Sequence, residues 1–304
     1  MRVLAFALLA LAAPATAAAG APPRAACPHL GGAVHYAVNG TTHLISLTTC
    51  ADRAIGPEKP ATQALPGVTA TGTTPGLQRL WVHGRLVYSQ VETGPFVPLK
   101  LSGDGRWLFF FVDEYGAASA IADGVPLLVV STGGGPIHDL GVTLRYPDYL
   151  TWCGGEVVYT PGFGRVAIDG KRLVAAAPPD WRPHSLWNDP SRTFSTPVCE
   201  PGRDAVAVLT QHTSSVANFF ATRWRIWRVG LDGTRHALDV PPPGWADEEP
   251  AWSPDGNSLA FVRERNGYGR AMVLHARKVF GPLANLGYSI GYYGHHDWGI
   301  AWRR

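Results

Sequence analysis

Charged residues are scarce in this sequence: aspartate, glutamate, lysine and arginine make up 16% of its 304 residues, and the formal net charge is only +3. Proteins that bind nucleic acid or an acidic membrane surface by electrostatics carry a larger and more clustered positive charge. We therefore expect neither partner. The sequence also lacks G-x-S-x-G, H-E-x-x-H and a glycine-rich loop ending in Lys-Ser or Lys-Thr. This counts against a hydrolase or nucleotide enzyme without excluding catalysis.

Long hydrophobic runs are absent outside the N-terminus. There, Met1 and Arg2 precede an apolar run over residues 3–13 and small residues through Ala19, an arrangement typical of a secretory signal peptide. We predict a signal peptide over residues 1–19, with cleavage after Ala17 or Ala19. An uncleaved anchor is disfavoured because the run is short for a bilayer span. The mature chain, residues 20–304, is expected to be one domain, secreted or located in the periplasm or cell envelope, without an integral membrane span.

Glycine and proline are abundant, at 35 and 26 residues, and they mark repeated turns. A short turn ending in glycine, followed by an apolar strand, recurs at Asn39-Gly40, His83-Gly84, Asp123-Gly124, Asp169-Gly170 and Asp232-Gly233. A spacing of this kind, on the order of 40 to 60 residues, is typical of repeat architectures. Asn-Gly and Asp-Gly supply the positive φ angles of two-residue hairpins. We interpret all five turns as outer hairpins of one repeated unit.

A second turn precedes each outer hairpin. Residues 251–256 read Ala-Trp-Ser-Pro-Asp-Gly and lead into the apolar strand 258–262, with weaker copies near residues 101–105, 152–155 and 199–202. Two hairpins per repeat predict a four-stranded unit. At the C-terminus, residues 299–302 look like residues 249–252, while residues 33–47 supply outer strands without an inner one. We therefore expect the last strand to complete the first unit, which removes exposed sheet edges.

Residues 247–262 resemble the repeat of TolB-type β-propellers, a WD-like family of exported bacterial proteins. Together with the spacing, this resemblance implies an all-β, six-bladed β-propeller with a central channel and commonly a binding role. Five or seven blades remain open, because residues 51–79 match the pattern poorly. Residues 21–32 are too few for the separate N-terminal α/β domain of TolB, so its role in the Tol-Pal system is not transferred.

The four cysteines of an exported chain favour two disulfides over free thiols. Three pairings are open. We favour Cys27 with Cys50, which ties the N-terminal arm to the first unit, and Cys153 with Cys199, which lie at related points of adjacent units.

When the repeats are aligned, several acids and histidines precede inner strands and are expected at one mouth of the channel. These candidate binding residues are Asp148, Asp247, Glu248, His295, His296 and Asp297. Such a cluster suits Ca²⁺, through oxygen ligands, or the basic end of a peptide. Hydrogen bonding of each acid to local backbone is the competing structural interpretation, and we expect no other cofactor.

The leading functional hypothesis is a monomeric, non-catalytic scaffold that binds a protein or peptide partner in the envelope or outside the cell. The alternative is a propeller enzyme of the metal-dependent lactonase or lyase type, with its site at the channel mouth. A structural envelope protein bound to cell-wall polymer is a third hypothesis. The insertion at residues 211–222 is a second candidate partner site, because long loops often carry specificity.

Overall fold

The strands of this protein coincide with runs of branched and aromatic residues, which pack well on a pleated surface. The computed structural model describes residues 27–58, 65–113, 125–143, 149–153, 155–159, 164–169, 172–175, 194–210, 224–232, 234–289 and 298–303. These segments contain strands, turns and no α-helix. Accordingly, none of the described segments is a helix that could span a membrane.

The described chain contains 23 strands. The first ten are β1 (Ala33–Val38), β2 (Thr41–Ser46), β3 (Asp52–Pro57), β4 (Val68–Thr71), β5 (Gly76–Val82), β6 (Arg85–Glu92), β7 (Phe96–Leu101), β8 (Trp107–Val112), β9 (Val125–Ser131) and β10 (His138–Thr143). The next eight are β11 (Leu150–Cys153), β12 (Glu156–Tyr159), β13 (Gly164–Asp169), β14 (Arg172–Ala175), β15 (Phe194–Cys199), β16 (Ala205–Thr210), β17 (Arg225–Gly230) and β18 (Arg235–Ala237). The last five are β19 (Ala246–Trp252), β20 (Ser258–Arg265), β21 (Tyr268–His275), β22 (Lys278–Tyr288) and β23 (Ala301–Arg303).

The strands form six antiparallel sheets, five with four strands and one with three. Sheet A has the order β23-β1-β2-β3, and sheet B contains β4, β5 and β6. Sheets C, D, E and F contain β7–β10, β11–β14, β15–β18 and β19–β22, each in chain order. The predicted all-β fold built from four-stranded units is confirmed at this level.

Sheet A combines strands from the two ends of the chain. Strand β23 pairs antiparallel with β1, so that Trp302 lies opposite Val34. The Trp302 indole Nε1 also donates a hydrogen bond of 2.6 Å to the carbonyl of Ala251, in the first strand of sheet F. The C-terminal strand is therefore attached to both sheet A and sheet F.

The turn between the first and second strands of a sheet has the same hydrogen bonds in sheets C and F. The hydroxyl of Ser253 donates to Asp255 Oδ1 at 2.5 Å and accepts the backbone N–H of Ser258 at 2.9 Å. In sheet C, Ser102 does the same with Asp104 and with the N–H of Trp107, at 2.5 and 3.0 Å. The two sheets therefore share this turn at equivalent positions.

The interpretation of the glycine turns as equivalent outer hairpins was wrong for two of them. Asn39-Gly40 joins β1 to β2 and His83-Gly84 joins β5 to β6, which are the second and third strands of their sheets. Asp169 and Asp232, in contrast, lie at the connection between the third and fourth strands of sheets D and E, as expected. Asp123-Gly124 lies outside the described residues. Two-residue turn chemistry serves any tight hairpin, so it does not encode which hairpin of the unit it closes.

In sheets C, E and F the second strand is buried on both faces. All residues of β8 are buried except its last, Val112, and the same holds for the first five residues of β16 and of β20. Because neighbouring sheets cover both sides of these strands, their sequences are continuous apolar runs and do not alternate.

Five apolar clusters join the sheets to one another. They connect sheet B to C, C to D, D to E, E to F, and F to A. A disulfide between Cys153 and Cys199 also joins the ends of β11 and β15, in sheets D and E. A second disulfide, between Cys27 and Cys50, fastens the segment before β1 to the segment after β2. These are the two pairs that the sequence analysis favoured.

The first turn of sheet F lies close to the first turn of sheet E. Gly256 has a φ of +70°, and a Cβ added to it lies 2.8 Å from the carbonyl oxygen of Pro201. Gly202, at the corresponding turn of sheet E, has the same φ but no atom within 4 Å of an added Cβ. Of these two glycines, Gly256 alone combines a left-handed backbone with a close approach to a neighbouring sheet.

We predict that Gly256→Ala destabilises the protein more than Gly202→Ala. Both alanines adopt an unfavourable left-handed backbone, which costs about 1 kcal/mol. Gly256→Ala must also displace the Pro201 carbonyl, which costs about 1 to 3 kcal/mol more because backbone cannot relax as a side chain does. Urea unfolding of the two variants and the parent measures the difference. Equal losses of stability would contradict the close packing of sheets E and F at this turn.

Candidate functional site

The predicted acid Asp247 is buried near the start of β19, opposite Arg263 of β20. It accepts two hydrogen bonds from the Arg263 guanidinium, at 2.7 Å from Nε and 2.9 Å from Nη2. Arg263 also donates to Asp239, which follows the last strand of sheet E. The three side chains form a carboxylate–guanidinium–carboxylate group that links sheets E and F.

Burial raises the pKa of Asp247 to about 6, against the opposing effect of the Arg263 guanidinium. The carboxyl is therefore ionised at neutral pH but takes up a proton at a higher pH than an exposed aspartate. Burial lowers the pKa of Arg263, but its hydrogen bonds and charge interactions with Asp247 and Asp239 together outweigh that effect and raise it. At neutral pH the guanidinium neutralises one of the two carboxylates and hydrogen-bonds to both, so the group carries a net charge of −1 and links the two sheets.

The neighbouring acids of β19 are also directed into the structure. Glu248 is buried. Glu249 has a φ of +48° at an irregularity in the β19–β20 pairing, and its Oε2 accepts the backbone N–H of Ile300 at 3.4 Å. Glu249 thereby holds sheet F to the C-terminal segment that leads into β23.

The other predicted mouth residues, Asp148, His295, His296 and Asp297, lie outside the described residues, as does the insertion 211–222. Within the described ranges no group of three or more histidine, cysteine, aspartate or glutamate side chains is arranged to hold a metal ion. The convergence of the six predicted residues and the Ca²⁺ site stay predictions.

An open cleft of about 620 Å³ lies between sheets E and F. Sheet E contributes the turn after β15, one residue of β17 and the strand β18, while sheet F contributes the turns at 252–258 and 274–277. In antiparallel sheets, the first-to-second and third-to-fourth turns lie at the same end. Strand β19 begins near Asp247 and ends at this cleft with Trp252. The cleft is therefore at the opposite end of sheet F from the predicted acids.

A buried carboxylate organises the sheet E wall of the cleft. The Glu200 side chain is only 3% exposed and contacts two guanidinium groups through their Nε atoms, Arg203 at 3.1 Å and Arg228 at 2.6 Å. Arg228 belongs to a segment in which Trp224 and Ile226 are buried while Arg225 is exposed. Arg228 itself is held by Glu200.

The sheet F wall contains a cross-strand pair, Ser258 and His275. The Ser258 hydroxyl lies 2.8 Å from His275 Nδ1, and the two residues are directly opposite in the β20–β21 pairing. A serine nucleophile needs a base that a third group orients. Among the described residues, His275 has no carboxylate partner. The pair is therefore a hydrogen bond between neighbouring strands and gives no support to a hydrolase.

Sequence reasoning missed the cleft and its arginines. Glu200 occurs in the first turn of sheet E and Arg228 lies 28 positions later, so no local motif links them. The one available signal was the pair Glu200 and Arg203, three residues apart across a Pro-Gly turn, which places an acid and a base side by side.

Comparisons with known proteins identify no family. No family model and no curated protein matches the chain. Among solved structures, TolB from Acinetobacter baumannii is similar with a TM-score of 0.41 and 11% identity, over 89% of this chain and 66% of that one. A puromycin hydrolase is similar with a TM-score of 0.40 and 14% identity, over 84% of this chain and 43% of that one. The Cps50 (Swd1) β-propeller domain of Myceliophteria thermophila is similar with a TM-score of 0.36 and 12% identity, over 81% of this chain and 80% of that one.

We predict that titration of Asp247 lowers the free energy of unfolding as the pH rises from about 4 to about 6. Its pKa is higher in the folded state than in the unfolded state, so the folded protein binds more protons in this window. At about 1.4 kcal/mol for each pH unit between the two pKa values, the decrease is about 2 to 3 kcal/mol. Urea unfolding between pH 4 and 7 should show a shallower decrease for Asp247→Asn than for the parent.

The matched control for this experiment is Asp255→Asn. Hydrogen bonds from Ser253 and Asn257 lower the pKa of Asp255 to about 2. Its contribution to stability is lost only as the pH falls below about 4, so this variant should keep the parent slope between pH 4 and 7. An unchanged slope in Asp247→Asn would show that the buried carboxyl does not titrate in this window.

Proposed function

We propose that the six sheets are the blades of a six-bladed β-propeller closed into a ring. Support comes from the first strands, which contact one another from sheet to sheet: β4 with β7, β11 with β15, β15 with β19, and β19 with β23. Together with the five apolar clusters, these contacts give the sheet order B-C-D-E-F-A. The ring closes when β23 of sheet A lies beside β4 of sheet B, which completes the channel lining.

Chemical cross-linking tests this closure. Thr71 ends β4 just before the turn into β5, and Arg303 ends β23 opposite Ala33 at the start of β1; both are exposed. In a closed ring, Thr71→Cys and Arg303→Cys are joined within one chain by a short bifunctional maleimide. The control pairs Arg303→Cys with Val91→Cys, at the 72% exposed Val91 of β6, and should not be joined. Equal cross-linking of both pairs, or of neither, would contradict closure between β23 and β4.

We further propose that residues 1–19 are a signal peptide and that residues 20–304 form one exported domain. The two disulfides support export, because such bonds persist in oxidising compartments and are rare in the cytosol. A monomer is expected, since completion of sheet A by β23 pairs the inner edge of β1 within the same chain.

The function that the geometry supports best is a non-catalytic scaffold that binds a protein or peptide partner. The observation that carries this proposal is the open cleft between sheets E and F, where apolar side chains and arginines meet on two rigid walls. The acids Asp247 and Glu249, in contrast, hold the sheets together. Binding on a rigid surface of this kind requires little reorganisation of the protein.

Site-specific photo-cross-linking in the native envelope tests the scaffold. Asn257 is exposed and lines the cleft, and a photoreactive amino acid at this position should link the protein to one discrete partner. The same amino acid at Val91, exposed on sheet B, is the control and should give no such product. A discrete product from Val91 alone, no product from either position, or turnover of small substrates by the purified protein would overturn the proposal.

A further inference from the structure

We propose that the cleft between sheets E and F binds an acidic peptide segment whose carboxylates alternate with apolar side chains. This inference rests on the proposed scaffold function and names the chemistry of its partner. Three observations support it: the positive charge of the cleft, the contacts of Glu200 with two of its guanidinium groups, and its apolar floor.

The cleft carries an excess of positive charge. Its lining includes three arginines, Arg203, Arg228 and Arg277, with His236 beside them and Glu200 as the carboxylate. Arg228 also interacts with the Asp232 carboxylate, so three guanidinium groups against two carboxylates leave a net charge of +1 with a neutral histidine. Arg277 is exposed in the turn between β21 and β22 and has no ion-pair partner among the described residues. A site with this balance favours an anionic ligand and disfavours a metal cation.

Glu200 contacts the two sheet E arginines, Arg203 and Arg228, at one edge of each guanidinium, which leaves other N–H donors available. Both contacts use Nε, at 3.1 Å in Arg203 and 2.6 Å in Arg228, so in the described part of the protein the terminal Nη groups are not occupied by this carboxylate. The Arg203 side chain is 57% exposed. A guanidinium already fixed at one edge loses little conformational freedom when its other N–H groups bind a second carboxylate.

The floor of the cleft is apolar and comes from both sheets. Leu238 of sheet E and Leu259 and Leu274 of sheet F line it together with Trp252. The buried indole Nε1 of Trp252 has no hydrogen-bond acceptor among the described residues. An inorganic anion uses only the arginines, whereas a peptide with apolar side chains between its carboxylates also covers this floor. The volume of about 620 Å³ lies within the usual ligand-pocket range of about 300 to 1,000 Å³.

The experiment uses the mature protein and a fluorescein-labelled six-residue peptide that alternates glutamate and leucine. Fluorescence anisotropy measures its Kd against a peptide with glutamine in place of each glutamate. Arg203→Glu and Arg277→Glu each reverse one exposed charge of the cleft and should weaken binding of the glutamate peptide by about tenfold or more. Arg53→Glu makes the same charge change on an exposed residue of β3 in sheet A and should leave the Kd unchanged.

Three results would overturn the inference. They are equal binding of the glutamine and glutamate peptides, equal weakening by Arg53→Glu, and complete displacement of the peptide by millimolar inorganic phosphate, which indicates a simple anion site. Unchanged melting temperatures show that the variants are folded. The proposed scaffold stands separately: if Asn257 cross-links to a partner while the glutamate peptide does not bind, only the acidic partner is wrong. If neither occurs, both proposals fail.

Discussion

The structure depends on the packing of each sheet against the next, which in sheets C, E and F buries the second strand on both faces. Strands such as β8, β16 and β20 have no solvent face, so they require a neighbouring sheet on both sides. Five apolar clusters satisfy this requirement from sheet B round to sheet A. The burial of apolar surface between sheets, and not within any single sheet, is therefore the main stabilising contribution.

The same constraint governs the ends of the sheets. Where two neighbouring sheets meet closely, as at Gly256 and Pro201, no side chain fits between them. Beside this contact the same two sheets diverge, and a cleft opens between their turns, where polar groups reach solvent. At the other end of the same two sheets, Arg263 pairs with both Asp239 and Asp247 and joins the sheets through these ion pairs. One interface thus has a closed, structural end and an open end suited to recognition.

Much of the secondary structure could be predicted from the sequence because it depends on local chemistry. The Ser-Pro-Asp-Gly turn at 253–256 is held by a hydrogen bond from the Ser253 hydroxyl to the Asp255 carboxylate, and these two residues are two positions apart in the sequence. The two disulfides could be chosen from three pairings because cysteines at related points of adjacent units lie close together. The outer-hairpin interpretation failed at Asn39-Gly40, since a turn sequence specifies a tight hairpin but not its position in a sheet.

The sequence by itself determined an all-β chain, its four-stranded units, and the match between its C-terminal strand and the incomplete first unit, since these follow from periodicity and turn chemistry. Only the tertiary structure decided which polar groups meet. Asp247 binds Arg263, sixteen residues away in the sequence, and Glu200 binds Arg228 on a different strand of the same sheet. Such contacts depend on strand register and on the distance between sheets, and neither quantity is encoded in a local pattern.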